Sequence, residues 1–368
     1  KLASASSNYM SSTGKKKHHE RNRPILIDGI TIQPGTRQSL DIEVGRLYTH
    51  APTTMPVQVV CGRQAGPVLF VCAAIHGDEL NGVEIIRRLL LIKALRGLKG
   101  SLIAVPIVNL HGFIDKSRYL PDRRDLNRSF PGSETGSLAS RIAHLFMTEI
   151  VSQATHGIDL HTGALHRGNL PQIRANLDDE STTELARAFG TPIILNAAIR
   201  PGTLRAAATG KVPVLVYEAG EALRLDEISI RGGVNGIVRV MRKLEMLPPA
   251  RRKTSLPEPI IARSSSWVRA PQSGIFRSFT QYGQRVIRGD TILGAVADPF
   301  GEHEEEIRAP FSGIVIGQLH LPLVNEGDAV YHIARFHRSD VAAGRIEDYH
   351  EWLEAPDHPF TDPSNPEA

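Results

Sequence analysis

The apolar run Val68-Leu69-Phe70-Val71-Cys72-Ala73-Ala74-Ile75 passes directly into His76-Gly77-Asp78-Glu79. An unbroken apolar run of this length reads as a strand buried on both faces, which requires a sheet with layers packed on either side. The polar residues that follow fall at the strand's C-terminal end, where open α/β sheets build their sites. A second strand-like run ends the same way, in Gly157-Ile158-Asp159-Leu160-His161-Thr162-Gly163. His76, Glu79 and His161 are the ligand set of a catalytic zinc, two imidazoles and a carboxylate with a fourth position open.

The rest of the chain fits a sheet of that kind. Residues 25–60 alternate polar and apolar, as in Leu40-Asp41-Ile42-Glu43-Val44, and predict antiparallel strands leading into the main sheet. Leu80 to Leu95 has apolar residues at helical spacing, and Ser101 to Val108 is the next strand. Helices are predicted over Ser137 to Ser152, Glu180 to Phe189 and Asp226 to Leu247, with Gly232-Gly233 weakening the last. Short strands cover Pro192 to Leu195 and Val212 to Tyr217. Strands alternating with helices imply a mixed sheet flanked by helices. His111 to Gly136 has little periodicity, and a loop of that length points to function or disorder.

Past Leu247, Pro248-Pro249-Ala250-Arg251-Arg252-Lys253 opens a linker by composition. Beyond it Ala270-Pro271-Gln272-Ser273-Gly274-Ile275 recurs as Ala309-Pro310-Phe311-Ser312-Gly313-Ile314, and Val286 to Asp290 is echoed by Val324 to Asp328. Two such units predict a small all-β domain. The pattern resembles the barrel-sandwich of biotinyl and lipoyl carriers. Its hairpin segment, Val296 to His303, holds no lysine to modify, so a structural or gating module is the better reading. The expected division is an arm over 1–23, a catalytic domain over 24–247, a linker over 248–265, a β domain over 266–337 and a tail over 338–368.

Composition excludes several classes. The net charge of +4 is small and the basic residues form no stripe with interleaved aromatics, which argues against nucleic acid. Apolar stretches of about eight residues fall far short of the ~20 that cross a bilayer. Cys61 and Cys72 lie inside apolar runs and read as buried thiols, in keeping with a cytoplasmic protein. Lys15-Lys16-Lys17-His18-His19 reads as part of a solvated arm. An exposed apolar surface on the β domain would support homo-oligomers.

Zinc-assisted amide hydrolysis needs a carboxylate to take and return a proton, a cation for the oxyanion, and guanidinium groups to fix a substrate carboxylate. The long loop supplies Arg118-Tyr119 and Arg123-Arg124-Asp125-Leu126-Asn127-Arg128, and Val214-Leu215-Val216-Tyr217-Glu218-Ala219-Gly220 ends a strand on an acid. Asp159 stands where it would orient His161 or line the pocket.

Taken in order, His76-Gly77-Asp78-Glu79, Arg118-Tyr119, Asp125-Leu126-Asn127-Arg128, Asp159-Leu160-His161 and Glu218-Ala219-Gly220 resemble the succinylglutamate desuccinylase/aspartoacylase family, over roughly residues 50–335. The resemblance implies a carboxypeptidase-like core followed by a barrel-sandwich-like β domain that narrows the cleft. It implies one zinc on His76, Glu79 and His161, with Glu218 as general base. Arg118 would stabilise the oxyanion, with Arg124 competing for that role because the loop is longer here than in aspartoacylases. Asn127 and Arg128 would bind substrate carboxylate, with Arg205 as an additional clamp. The implied reaction removes an acyl group from a small N-acyl amino acid. Alternatives are a zinc carboxypeptidase acting on peptides and a catalytically silent binding protein on the same fold.

Overall fold

The computed structural model describes residues 20–250, 258–336 and 338–354; most of the arm, the centre of the linker and the end of the tail lie outside them. The first elements are a hairpin of β1 (Ile25–Ile27) and β2 (Ile30–Ile32), then the antiparallel pair β3 (Arg37–Arg46) and β4 (Pro52–Cys61). In β3 the predicted alternation is realised, with Leu40 and Ile42 buried between exposed polar neighbours.

The central elements follow as β5 (Gln64–Ala73), α1 (Asn81–Leu89), β6 (Lys99–Val105), α2 (Leu110–Asp115), α3 (Leu138–Glu149), β7 (His156–Gly163) and β8 (Arg167–Ala175). After them come α4 (Glu180–Phe189), β9 (Ile193–Asn196), α5 (Leu204–Ala208), β10 (Val214–Glu221) and α6 (Glu227–Lys243). The sheet runs β3-β4-β6-β5-β7-β10-β8. Its middle, β6-β5-β7-β10, is parallel, and β4 and β8 pair antiparallel at its flanks.

Both faces are covered, as the continuous apolar strands require. Leu69, Val71, Leu160, Ile173 and Tyr217 pack with residues of α1, α4 and α6. Phe70, Cys72, Ile103 and Val105 pack on the other side with α3 and α5. The chain is therefore a mixed α/β protein with a large flanked sheet and a C-terminal antiparallel β region, as the sequence predicted. The glycines of α6 do not interrupt it. A Cβ at Gly233 would lie 2.3 Å from Ile85 Cδ1, and one at Gly236 would lie 2.0 Å from the Phe189 ring. These positions let α1 and α4 approach, and that packing outweighs the low helix propensity of glycine.

The C-terminal region adds to the same sheet. Ile260–Ala262, within the segment read as linker, pairs parallel with β9, and Gly313–Leu319 pairs antiparallel with the start of β8. The two sequence repeats interlock: Val286 of the first lies opposite Gly313 of the second, and Val324 of the second opposite Gly274 of the first. Each repeat completes the other's strand pair, so neither buries its apolar face alone. Within the segment read as tail, α7 (Ser339–Glu354) packs Tyr349 against Gly232 of α6.

Candidate metal centre

β5 stops at Ala73 because the next residue, Ala74, takes a left-handed conformation (φ 51°), rare for any residue but glycine and common where a chain is steered into a site. Backbone bonds from Val108 to Ala73 (3.1 Å) and from Asn109 to Ala74 (2.9 Å) hold the turn. It delivers His76 and Glu79 over the end of the sheet. β7 delivers Asp159 and His161 on one face, since alternate strand residues project together.

The three predicted ligands meet. His76, Glu79 and His161 are buried, and their ligand atoms all lie within 4.8 Å of one another. His76 Nδ1 is 2.7 Å from Glu79 Oε1, and His161 Nδ1 is 2.9 Å from Glu79 Oε2. Both rings thus turn the same nitrogen inward. Each outer nitrogen meets a carboxylate, His76 Nε2 with Asp125 (3.2 Å) and His161 Nε2 with Asp159 (2.9 Å). Such carboxylates fix the ring and raise its basicity toward a cation. Asp159 also accepts from the Cys72 thiol (3.5 Å), and the Thr162 N–H donates to Glu79 (3.0 Å).

The electrostatics favour positive charge between these groups. Burial alone would lower the pKa of His76 and His161. Glu79 and Asp125 around His76, and Asp159 and Glu79 around His161, outweigh it and raise both. Burial likewise opposes ionisation of Glu79, but the two imidazoles hold its carboxyl below the usual range. A site that draws in protons against burial also suits a divalent cation. Two inward imidazole nitrogens and one carboxylate, each anchored from behind, fit zinc.

The other predicted residues divide. Glu218 lies directly opposite His161 in the parallel pairing of β10 with β7. Asn81, the first residue of α1, ties β10 to the start of α6, donating to Ala219 O (3.1 Å) and accepting from Asp226 N (3.0 Å). Arg118 reaches the centre, with Nη2 donating to Asp125 (3.0 Å) and Nη1 standing 3.4 Å from Glu79. Arg124 does not join it; its largely exposed side chain pairs with Asp122. Asn127 accepts from Leu204 N (3.0 Å) and Arg128 is exposed, donating to Asn127 O. Arg205 donates to the carbonyls of Ala197 and Ala198 (2.9 Å each) while feeling the charges of Arg174, Asp159 and Glu218.

Three residues at the site have no role in the sequence reading. Asp125 lies inside a recognised motif, but its contact with His76 depends on how the loop folds back. Asn169 and Arg174 hold the two oxygens of Glu218, at 2.8 Å and 3.0 Å. Their only signal is the recurrence of polar residues, Arg167, Asn169, Gln172 and Arg174, among the apolar residues of the strand.

Fold and centre together define a mixed α/β domain with a buried His–Glu–His site at the C-terminal edge of its parallel strands. Residues 65–244 match the succinylglutamate desuccinylase/aspartoacylase catalytic domain, the family that the motifs of this chain resemble. It is 28% identical over 298 residues to the N-alpha-acetyl-L-2,4-diaminobutyric acid deacetylase of Halomonas elongata, covering 76% of this chain and 85% of the relative. It is also similar to the product-bound ectoine utilization protein EutE (DoeB) of Ruegeria pomeroyi, with TM-score 0.73 and 26% identity over 82% of this chain and 95% of that one. A succinylglutamate desuccinylase/aspartoacylase structure from Rhodobacter sphaeroides shares the fold, with TM-score 0.73 and 24% identity over 82% and 95% of the two chains.

Proposed function

We propose that this protein is a zinc-dependent amide hydrolase that removes the acyl group from a small N-acyl amino acid. The observation that carries the reading is the meeting of His76, Glu79 and His161 beside Glu218. His76 Nδ1, Glu79 and His161 Nδ1 would hold the metal, and Asp125 and Asp159 fix the rings. Bound there, zinc supplies a water of lowered pKa and a Lewis acid for the scissile carbonyl.

The chain's own residues do the remainder. Glu218 takes the proton of the attacking water and returns it to the departing amine nitrogen. Arg118, rather than Arg124, stabilises the developing oxyanion, because only Arg118 reaches the centre. Asn127, Arg128 and Arg205 are retained as substrate-binding residues, the first two on the loop that carries Asp125.

A small substrate is favoured over a peptide. Gly313–Leu319 extends the sheet beside β8, placing Gly317 opposite Asn169, the partner of Glu218. A strand standing beside the partner of the base suits a small substrate better than a long chain. The similarity to a deacetylase of an N-acetylated diamino acid supports the same choice. In this reading residues 24–247 are the catalytic unit and 266–337 the β unit. Buried, unpaired Cys61 and Cys72 suit a reducing, cytoplasmic setting.

The test is zinc analysis of the purified protein together with release of free amine from N-acetyl, N-succinyl and N-formyl amino acids. Bound zinc with turnover of at least one class supports the reading. Zinc-loaded protein inert across the panel would overturn it.

A further inference from the structure

Around Glu218 the structure assembles more positive charge than that carboxylate uses. Gln172 lies opposite Glu218 across the β8–β10 pairing and is fully buried. Among the described residues neither end of its amide has a partner, and Arg174 Nε and Arg205 Nη1 are likewise buried and unpartnered. Arg174 and Arg205 are close enough that the charge of one adds to the burial that lowers the proton affinity of the other. Buried donors without acceptors are costly, and so are like charges held together. The three unpartnered donors, Gln172 Nε2, Arg174 Nε and Arg205 Nη1, would suit an anion with two or more acceptor oxygens. Its place is beside the group that hands a proton to the leaving amine, so the anion belongs to the amine half of the substrate.

We infer that Arg174 is a specificity residue shared between Glu218 and the carboxylate of the substrate's amino-acid half. Arg174 Nη1 pairs with Glu218 Oε1 while Asn169 Nδ2 holds Oε2. An entering carboxylate competes for the guanidinium, with Arg205 and Gln172 adding donors. Glu218 is then left on Asn169, with Oε1 open to accept a proton. Recognition of the correct amine half and release of the base become one event. The inference rests on the proposed role of Glu218.

The test compares an N-acetyl amino acid with its α-carboxamide, by calorimetric binding and by turnover, in the wild type, Arg174→Gln and Arg174→Lys. The wild type is expected to bind the carboxylate form at least tenfold more tightly. Arg174→Gln should lose that preference through weaker binding of the carboxylate form, with binding of the carboxamide changed far less. Arg174→Lys should keep part of the preference. An unchanged preference in Arg174→Gln, or equal losses for both forms, would overturn the inference. A preference that depends on Arg174 in a protein that hydrolyses neither compound would uphold carboxylate recognition and overturn the hydrolase reading instead.

Discussion

Glu218 and His161 occupy opposed positions on adjacent parallel strands, so one register places a candidate metal ligand and the candidate proton acceptor side by side. Because β7 and β10 lie at the middle of a sheet covered on both faces, that register cannot slip by one residue without taking Leu160 or Tyr217 out of the apolar layer it packs in and turning Asp159 or Glu218 into it. The relation between the two groups is thereby built into the core rather than left to a loop.

Replacing Glu218 with Gln tests the base. The change keeps the shape and the Asn169 and Arg174 neighbours but removes the proton acceptor. The zinc content should be unchanged while kcat falls by roughly 10²–10⁴. Metal analysis and steady-state kinetics on one preparation check this; near-normal kcat would assign the base elsewhere.

The carboxylates behind the imidazoles should matter to metal affinity. Asp159→Asn and Asp125→Asn leave His161 and His76 in place but take away the charge each outer nitrogen faces. Each should weaken zinc binding by roughly 10–100-fold. Competition with a chromophoric chelator measures it, and affinities equal to the wild type would reduce both residues to passive neighbours.

Gly77 stands between His76 and Glu79, packed against the backbone of α2. A Cβ there would lie 1.9 Å from the Gly112 carbonyl carbon and 2.1 Å from Phe113 N. Backbone cannot yield as a flexible side chain does, so Gly77→Ala must move the loop that carries both ligands. Expected are a loss of about 1–3 kcal/mol in stability and weaker zinc binding, read by denaturant unfolding and metal titration. A variant with wild-type values in both would mean that the loop tolerates displacement.

His332 predicts an acid-sensitive contribution to stability. Burial first, then the charges of Arg174 and Arg200, push its pKa down to about 3 from an ordinary 6.5. Between those values the unfolded chain binds the proton and the folded protein does not, so stability rises with pH. The contribution is complete above pH 6.5 and is lost as pH falls toward 3; at pH 5 the loss is about 2 kcal/mol. His332→Gln should flatten the stability profile across this window in urea unfolding, and an unchanged slope would show that other groups govern it.

Much of the core and the centre was legible along the chain. Continuous apolar strands ending in His76, Glu79 and His161 specified a covered sheet and its reactive edge, because burial pattern and strand ends are local properties. The same held for α4, predicted over Glu180–Phe189 and found there. Gly232-Gly233 misled in isolation, since what keeps α6 intact is its packing against neighbours distant in sequence.

Tertiary structure alone decided the rest. Which of Arg118 and Arg124 lies at the centre depends on how the long loop folds back, and the two are equivalent in sequence. The anchoring of His76 by Asp125 and the holding of Glu218 by Asn169 and Arg174 join residues from separate elements. The repeats announced a β unit, but their interlocked pairing and their junction with β8 came from strand edges finding partners across the molecule. The chain itself determined which groups would be buried and charged; which of them meet was set by long-range strand pairing and by the need to satisfy polar atoms removed from water.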